Sequence, residues 1–501
     1  MSTPSSPPSA SADPNYAARW IILAIVGVAQ LMVVLDATIV NIALPSAQSD
    51  LGFGDADRQW VVTAYALAFG SLLLIGGRLG DLFGRKQVFV VGLIGFAIVS
   101  ALGGAASSFE LLVVARALQG VFAAMLAPAA LAILSVTFSD PAERGKAFGI
   151  FGAVAGVGAG IGLLLGGVLT QWLSWRWCLY VNLAFALPAA AAAQAFIKAH
   201  HRDRASEGHT RTLDIPGALT GTVGLFALVF GFSSAETRGW ESPVTIVSLI
   251  VAPVLLVAFV LVERRAKEPL LPLHVVVNAT RGGAYFASAI FGIALFGVFL
   301  FLTYFLQQNL GYSPIRAGFA FMPMNLAIMV VAGLASAVLL GRCGPRLLIV
   351  GGLVMAAAGM TWLAQIDSSS GYAAGVLPAL FLLGIAGGLL FSTTFATATL
   401  GVDERDMGVA SATLNTAQQI GGSVGTALLS TFFASAVSAY ASDNPGPRVA
   451  VEAGIHGYTT VFWWAAAISL FGAVVSFVMM RSSAAEMAAA GDDRPVGVGA
   501  H

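Results

Sequence analysis

A long apolar stretch near the start of the chain, ending in an acid, most restricts what this sequence can fold into. Residues 21–35 carry no charged side chain, Asp36 follows them, and mostly apolar residues continue to Pro45. At about 1.5 Å per residue, a helix here can cross the roughly 30 Å apolar core of a bilayer. Asp36 would lie in the outer third of the membrane, where a carboxyl group usually marks an ion or proton pathway. The alternative is that Asp36 only caps a shorter helix.

The composition of the chain is typical of an integral membrane protein. Of its 501 residues, 57% are hydrophobic and 10% are charged, and the mean hydropathy is +0.85. A soluble domain carries about 25% charged residues. The net charge of zero gives no reason to expect a nucleic-acid partner. The cysteines, Cys178 and Cys343, are far apart, so neither a disulfide framework nor a metal site is predicted.

Hydropathy predicts an all-α integral membrane protein with fourteen spans. If the N-terminus is cytoplasmic, 19 of the 25 Lys and Arg residues fall inside, five fall outside and Arg116 lies within a span, so both termini are predicted to be cytoplasmic. The predicted spans are 20–42, 60–80, 87–106, 109–137, 146–170, 177–197, 214–234, 244–263, 282–306, 317–340, 347–366, 375–400, 408–436 and 458–480.

Two basic connectors flank one pair of spans and divide the rest into six and six. Such a division is typical of transporters built from repeats, with the binding site between the halves. We expect a disordered tail (1–18), a six-helix bundle (19–198), a linker (199–213), two extra helices (214–264), a second linker (265–281), a second bundle (282–481) and a C-terminal tail (482–501).

The loop predicted after the second span is the most specific motif. It runs from Gly77 to Lys86 and contains Gly80, Asp81, Gly84 and Arg85. Gly77 and Gly80 would let another helix approach closely, and Asp81 and Arg85 could pair at a membrane face. A weaker echo, 341–346, follows the second span of the second half. The alternative is a plain cytoplasmic charge cluster.

This loop closely resembles the signature loop of the major facilitator superfamily. Arg116 to Gly120 resembles the fourth-helix motif of the same superfamily. Three further motifs resemble its fourteen-helix drug:proton antiporters, the EmrB/QacA type: Leu35 to Pro45, Trp175 to Asn182 and Leu414 to Gly422. The resemblance implies the major facilitator fold, two six-helix bundles plus two additional transmembrane helices. It also implies that Gly77, Gly80, Asp81, Gly84 and Arg85 form a conformational gate.

Arg116 is the predicted partner of Asp36. It lies roughly 10 Å into the fourth span, a depth similar to that of Asp36. A buried arginine must be paired or face water. Because arginine does not lose its proton, Asp36 would be the group that titrates. The resemblance also ties Arg116 to proton coupling, whereas a static structural pair is the alternative.

Glycines recur along the fifth span and predict close helix packing. Gly158, Gly162, Gly166 and Gly167 follow a spacing of small residues that lets backbones approach. The antiporter motif of the resembling family has a proline where this chain has Leu163, which weakens the inference of antiport. Plain helix packing is the alternative.

The substrate would be bound by polar and aromatic residues inside the bundles. Candidates are Asn41, Gln119, Tyr304, Asn325 and Asn415. In the resembling branch, exporters of multivalent cations often carry an acid in the tenth span. The absence of one here implies neutral, zwitterionic or monovalent substrates. The aromatic residues of the ninth span could instead face lipid or other helices.

These observations predict a transporter and not an enzyme. No phosphate-binding loop or nucleophile–His–acid arrangement is present. We expect a proton-driven exporter of amphipathic drugs or small metabolites in the bacterial plasma membrane. It would use no cofactor or metal beyond the proton gradient, and would act as a monomer among lipids. A proton-coupled importer and a non-transporting sensor or assembly subunit are the alternatives.

Overall fold

A computed structural model of the protein describes residues 18–54, 57–138, 141–198, 214–266, 269–402 and 407–480. Within these ranges every regular element is helical. The predicted tails and the linker 199–213 lie outside the described residues, apart from Ala18. The first part of the chain forms six helices: α1 Arg19–Leu51, α2 Gln59–Phe83, α3 Arg85–Gly104, α4 Phe109–Thr137, α5 Pro141–Trp172 and α6 Trp177–Phe196.

The remaining helices follow as one pair and a second group. The pair is α7 Ile215–Arg238 and α8 Pro243–Glu263. The second group is the short α9 Leu273–Val276, then α10 Ala279–Gly297, α11 Pro314–Ala320, α12 Met322–Leu334, α13 Leu340–Leu363, α14 Leu377–Thr399, α15 Met407–Asp443 and α16 Val449–Met479. Segments of π-helix extend α10 at Val298–Leu302 and Phe305–Asn309, connect α12 to α13 at Ala335–Leu339, and precede α14 at Tyr372–Val376.

Helix α1 corrects two expectations about the first span. It continues to Leu51 through Pro45, beyond the predicted end at residue 42. Asp36 therefore lies well inside the helix and is fully buried, so the interpretation that it caps a shorter helix is wrong. The residues after 42 include Ala, Leu, Ser and Gln, which all tolerate a helical backbone.

The predicted loop at 77–86 is also mostly helical. Helix α2 runs to Phe83 and α3 begins at Arg85, so only Gly84 leaves the helical conformation. Its φ of 94° lies in a region that glycine adopts without steric cost. The equivalent turn at 341–346 likewise needs one glycine, Gly344 with φ 74°, inside α13. A single glycine is enough to reverse the chain, which is why both predicted loops were too long.

The two groups of helices meet at the end of the bundle where α1 finishes, which we call the far side. The Tyr304 hydroxyl donates to Gln48 Oε1 at 2.6 Å, and Gln307 Nε2 donates to the Ile42 carbonyl at 3.1 Å. Both contacts join α1 to the helical continuation of α10. They close the far side in this structure.

The pair α7 and α8 packs beside α2. The Thr222 hydroxyl donates to the Ser71 carbonyl at 3.2 Å, and the rings of Trp60 and Phe230 lie 6.0 Å apart. The opposite face of α8 presents exposed apolar side chains, among them Val254 at 61% exposure. A large exposed apolar surface suits contact with lipid.

Eleven described helical stretches are long and apolar enough to cross a membrane. One of them, Pro314–Leu363, has 50 residues and contains the turn at Gly344. Two shorter apolar helices, Gln59–Leu73 and Gly158–Trp172, belong to α2 and α5. The protein is thus an all-helical, multi-span membrane protein. The count of fourteen spans and the domain boundaries stay predictions.

Candidate proton-coupling site

A buried ion pair lies at the centre of the first group of helices. Asp36 of α1 accepts a hydrogen bond from Arg116 of α4, with 2.6 Å between Oδ2 and Nη1. The two side chains are 0% and 1% exposed. A buried pair of this kind is stable only where its remaining polar atoms are also satisfied. The similar depths predicted for the two residues agree with this contact.

Two amide side chains hold the second oxygen of the carboxylate. Gln119 Nε2 lies 3.0 Å from Asp36 Oδ1, and Asn182 Nδ2 lies 2.6 Å from the same oxygen. Ser100 of α3 accepts hydrogen bonds from both amides, at 2.8 Å from Gln119 and 3.4 Å from Asn182. Helices α1, α3, α4 and α6 therefore each contribute to a single polar network around Asp36.

Arg116 is held by further partners on α2 and on its own helix. Its Nε donates to the Val61 carbonyl at 3.0 Å, and its Nη1 also donates to Gln119 Oε1 at 2.9 Å. The guanidinium carbon lies 4.5 Å from the centre of the Tyr65 ring. These contacts use the planar fork of the guanidinium, which a lysine side chain could not reproduce.

Sequence reasoning missed three members of this network as functional candidates. They are Ser100, Asn182 and Tyr65, all buried. The sequence feature that could have identified them is a polar side chain within an apolar helix. Asn182 was noted only as the last residue of the motif that begins at Trp175. Gln119 also joins this network, and its predicted role in binding substrate stays a prediction.

The glycines of α5 bring that helix directly against α1 beside Asp36. A Cβ on Gly162 would lie 2.1 Å from Thr38 Oγ1, and one on Gly166 would lie 2.9 Å from the Ile39 carbonyl. Gly158 faces Leu31 of α1. Gly167 differs, because it faces the backbone of Ile315 in α11. The glycines thus contact both groups of helices.

Leu163, which stands where the resembling motif has proline, also lies at this junction. Its side chain is fully buried. A Cβ on Gly318 of α11 would lie 2.5 Å from the Leu163 carbonyl. Without proline, α5 continues as one unbroken helix between α1 and α11.

The predicted gate residues surround the turn between α2 and α3. A Cβ on Gly77 would lie 3.5 Å from Pro128 of α4, and one on Gly80 would lie 3.9 Å from Arg85 Cγ. Arg85 Nη1 donates to the Ala132 carbonyl of α4 at 3.4 Å. The side chain of Asp81 lies outside the described residues. Its pairing with Arg85 and its role in the gate stay predictions.

The other predicted substrate-binding residues do not form one cluster. Asn41, Asn325 and Asn415 each donate to the backbone carbonyl four residues earlier, at 3.1 Å in each case. Tyr304 contacts Gln48 across the far side. Their role in binding a substrate stays a prediction.

Comparison with known proteins identifies the family. The sequence profile of the Major Facilitator Superfamily matches residues 26–426 of this chain. The chain belongs to the major facilitator superfamily. This facilitator therefore belongs to a family of membrane transporters, not to a class of enzymes. Within the part of the chain that the structure describes, no group of three or more His, Cys, Asp or Glu side chains could hold a metal ion.

Several similar facilitators are proteins of antibiotic resistance or export. The puromycin resistance protein of Streptomyces alboniger is 48% identical over 467 residues, which cover 93% of this chain and 92% of that protein. The cephamycin export protein of Amycolatopsis lactamdurans is 40% identical over 411 residues, covering 82% and 84%. The tetracenomycin C resistance and export protein of Streptomyces glaucescens is 33% identical over 419 residues, covering 83% and 76%.

A solved structure has the same fold as this facilitator. It is a bacterial homologue of the human lysosomal transporter Spinster, in an inward-facing and occupied conformation. The TM-score is 0.63 at 16% sequence identity, and the match covers 93% of this chain and 97% of the other. The similarity extends over nearly the whole length of both proteins.

Proposed function

We propose that this facilitator exports amphipathic drug-like compounds or small metabolites across the bacterial plasma membrane in exchange for protons. The observation that carries the proposal is the fully buried Asp36 carboxylate, held by Arg116, Gln119 and Asn182. An acid inside a membrane helix commonly belongs to a proton relay. The names of the antibiotic resistance and export proteins that it resembles support export of a small molecule.

In the proposed cycle, a proton binds Asp36 and removes its negative charge. The Arg116 guanidinium keeps its charge and then lacks an ionised partner at 2.6 Å. The remaining bonds to Val61 and Gln119 are to neutral groups, which bind a cation less strongly than a carboxylate does. Protonation therefore weakens the connection between α1 and α4.

Helix α1 can transmit this change to the far side. Ile42 and Gln48, which contact the second group of helices, lie on the same unbroken helix as Asp36. Gln48 is roughly 18 Å along the helix axis from Asp36. Movement of α1 on protonation would alter both contacts. This coupling fits an alternating-access cycle in which one bundle rocks against the other.

In the proposed topology, the protein has fourteen spans, with both termini and the basic connectors in the cytoplasm. The far side then faces the outside of the cell, and the proton enters from there. A small apolar cleft between Val40, Ala43 and Leu179 reaches Arg116 from this direction.

Energised everted membrane vesicles test the proposed function. Vesicles from cells that overproduce this protein should accumulate puromycin or another amphipathic probe, and dissipating the pH gradient should abolish the accumulation. Net loss of the probe would indicate an importer. Identical behaviour of control and overproducing vesicles, over a panel of amphipathic probes, would contradict transport of this substrate class.

A further inference from the structure

Arg58 lies against three aromatic rings at the far side. Its guanidinium carbon is 4.1 Å from the centre of the Tyr304 ring, 4.9 Å from that of Phe433 and 5.6 Å from that of Phe301. We call Phe301, Tyr304 and Phe433 the aromatic cage. Ring faces attract cations within about 6 Å of their centres. The cage is therefore built to accept a positive charge.

The contact joins the two groups of helices. Arg58 precedes the first residue of α2, whereas Phe301 and Tyr304 lie in the continuation of α10, and Phe433 lies in α15. Arg58 is 2% exposed and the cage residues are at most 9% exposed. Arg116, Arg176, Arg316 and Arg346, in contrast, face rings of their own group of helices.

An opening that parts the two groups of helices at the far side would separate Arg58 from the cage. When the two groups of helices part, Arg58 moves with α2, and the three rings stay with α10 and α15. The ring faces then border the passage between the groups. Without Arg58, the three rings have no cation against them. Because a departing substrate passes this place, its cationic group can contact the rings in place of Arg58.

We infer that the aromatic cage is a subsite for the cationic group of a substrate, and that Arg58 fills this subsite while the far side is closed. The inference rests on the proposed export function. Arg58 itself shows the chemistry that the cage accepts, because a fully charged guanidinium is buried there. Amphipathic monovalent cations carrying a guanidinium or an ammonium group fit this chemistry.

The test compares two probes that differ in charge and little in shape. Octylguanidinium is a cation, and octylurea is its neutral counterpart. Binding of each to the purified full-length protein is measured by equilibrium dialysis, which needs no proton gradient. In Arg58→Ala, the Kd for octylguanidinium should fall by about tenfold, the effect of one to two cation–π contacts. The Kd for octylurea should stay unchanged.

A second substitution shows whether the rings are responsible. Phe433→Leu in the Arg58→Ala background keeps an apolar side chain and removes one ring, so it should reverse most of the gain. If Arg58→Ala does not fold, Arg58→Gln removes the charge at similar size and serves in its place. Equal changes for both probes, or no change for either, would overturn the subsite. If the probes bind with the expected charge selectivity but vesicles show no export, the proposed function is contradicted and the subsite is not.

Discussion

The Asp36 carboxylate and the Arg116 guanidinium lie 2.6 Å apart with almost no exposure, and they connect α1 to α4. Because arginine keeps its charge, Asp36 is the residue of this pair that binds the proton in the proposed cycle. Helix α1, which carries Asp36, also carries Ile42 and Gln48, which contact the second group of helices at the far side. A change of charge at one residue can therefore alter both the local pair and the contact between the two groups of helices.

Removing the arginine should destabilise the protein, since Asp36 would remain buried without its partner. Breaking one side of a buried pair typically costs about 3–5 kcal/mol. We expect Arg116→Met to lower the thermal unfolding temperature in detergent. Adding Asp36→Asn should restore part of the loss, because the unpaired charge is then gone. A double variant no more stable than Arg116→Met would contradict the pairing.

Arg116→Lys keeps the charge and should still impair transport. A lysine cannot donate in the directions of Val61, Asp36 and Gln119 with the geometry of the guanidinium fork. Its transport rate in everted vesicles should lie between those of the unmodified protein and Arg116→Met. A rate equal to that of the unmodified protein would show that charge alone matters.

The packing of α5 on α1 can be tested with a single methyl group. In Gly162→Ala the new Cβ would lie 2.1 Å from Thr38 Oγ1 and 3.0 Å from the Leu35 carbonyl oxygen, so the Thr38 side chain would have to rotate and α1 to move slightly away. Overpacking of this kind costs about 1–3 kcal/mol. We expect a lower unfolding temperature and slower transport. Gly351→Ala is the matched control, since nothing lies within 4 Å of a Cβ there. Equal effects in both variants would contradict the packing argument.

The predicted gate is tested by Asp81→Asn. This change removes one charge at the end of α2 and keeps the size of the side chain. We expect inserted, folded protein with transport slowed by about tenfold or more, the effect of losing about 1.4 kcal/mol in the conformational step. Normal transport rates in everted vesicles would remove Asp81 from the gate.

The proposed orientation is tested by cysteine labelling in intact cells. Exposed Cys343 is first replaced by serine, whereas Cys178 is buried and can remain. A cysteine at Gly239, in the turn between α7 and α8, should react with a membrane-impermeant maleimide from outside. A cysteine at Ser206 should react only after the membrane is opened. The opposite pattern would reverse the assigned topology.

Most of the long apolar helices could be predicted, because the length of an apolar stretch can be read directly from the sequence. The depth argument that paired Asp36 with Arg116 worked for the same reason: rise per residue is constant along a helix. The turn at Gly84 was predicted too long, since the sequence does not show that one glycine suffices to end α2 and begin α3.

The partners of the ion pair could not be predicted in this way. Asn182 reaches Asp36, and Ser100 reaches Asn182, only because α3 and α6 are rotated to face the site. Helices that are apolar on all sides carry no periodic pattern that reports such a rotation. The contact of Arg58 with the aromatic cage was missed for a similar reason, since its members lie far apart in sequence.

The most direct test of proton coupling is proton movement by Asp36→Asn in proteoliposomes. Asparagine has nearly the shape of a protonated aspartate and cannot bind or release a proton at neutral pH. Asp443→Asn, which changes an exposed carboxylate at the end of α15, is the control. With an imposed pH gradient and a transported amphipathic probe, a pH-sensitive dye inside the vesicles reports substrate-induced proton flux. We predict that Asp36→Asn binds the probe but moves no protons with it, whereas Asp443→Asn behaves as the unmodified protein. Proton flux in Asp36→Asn at the unmodified ratio of protons to substrate would contradict the central role of Asp36.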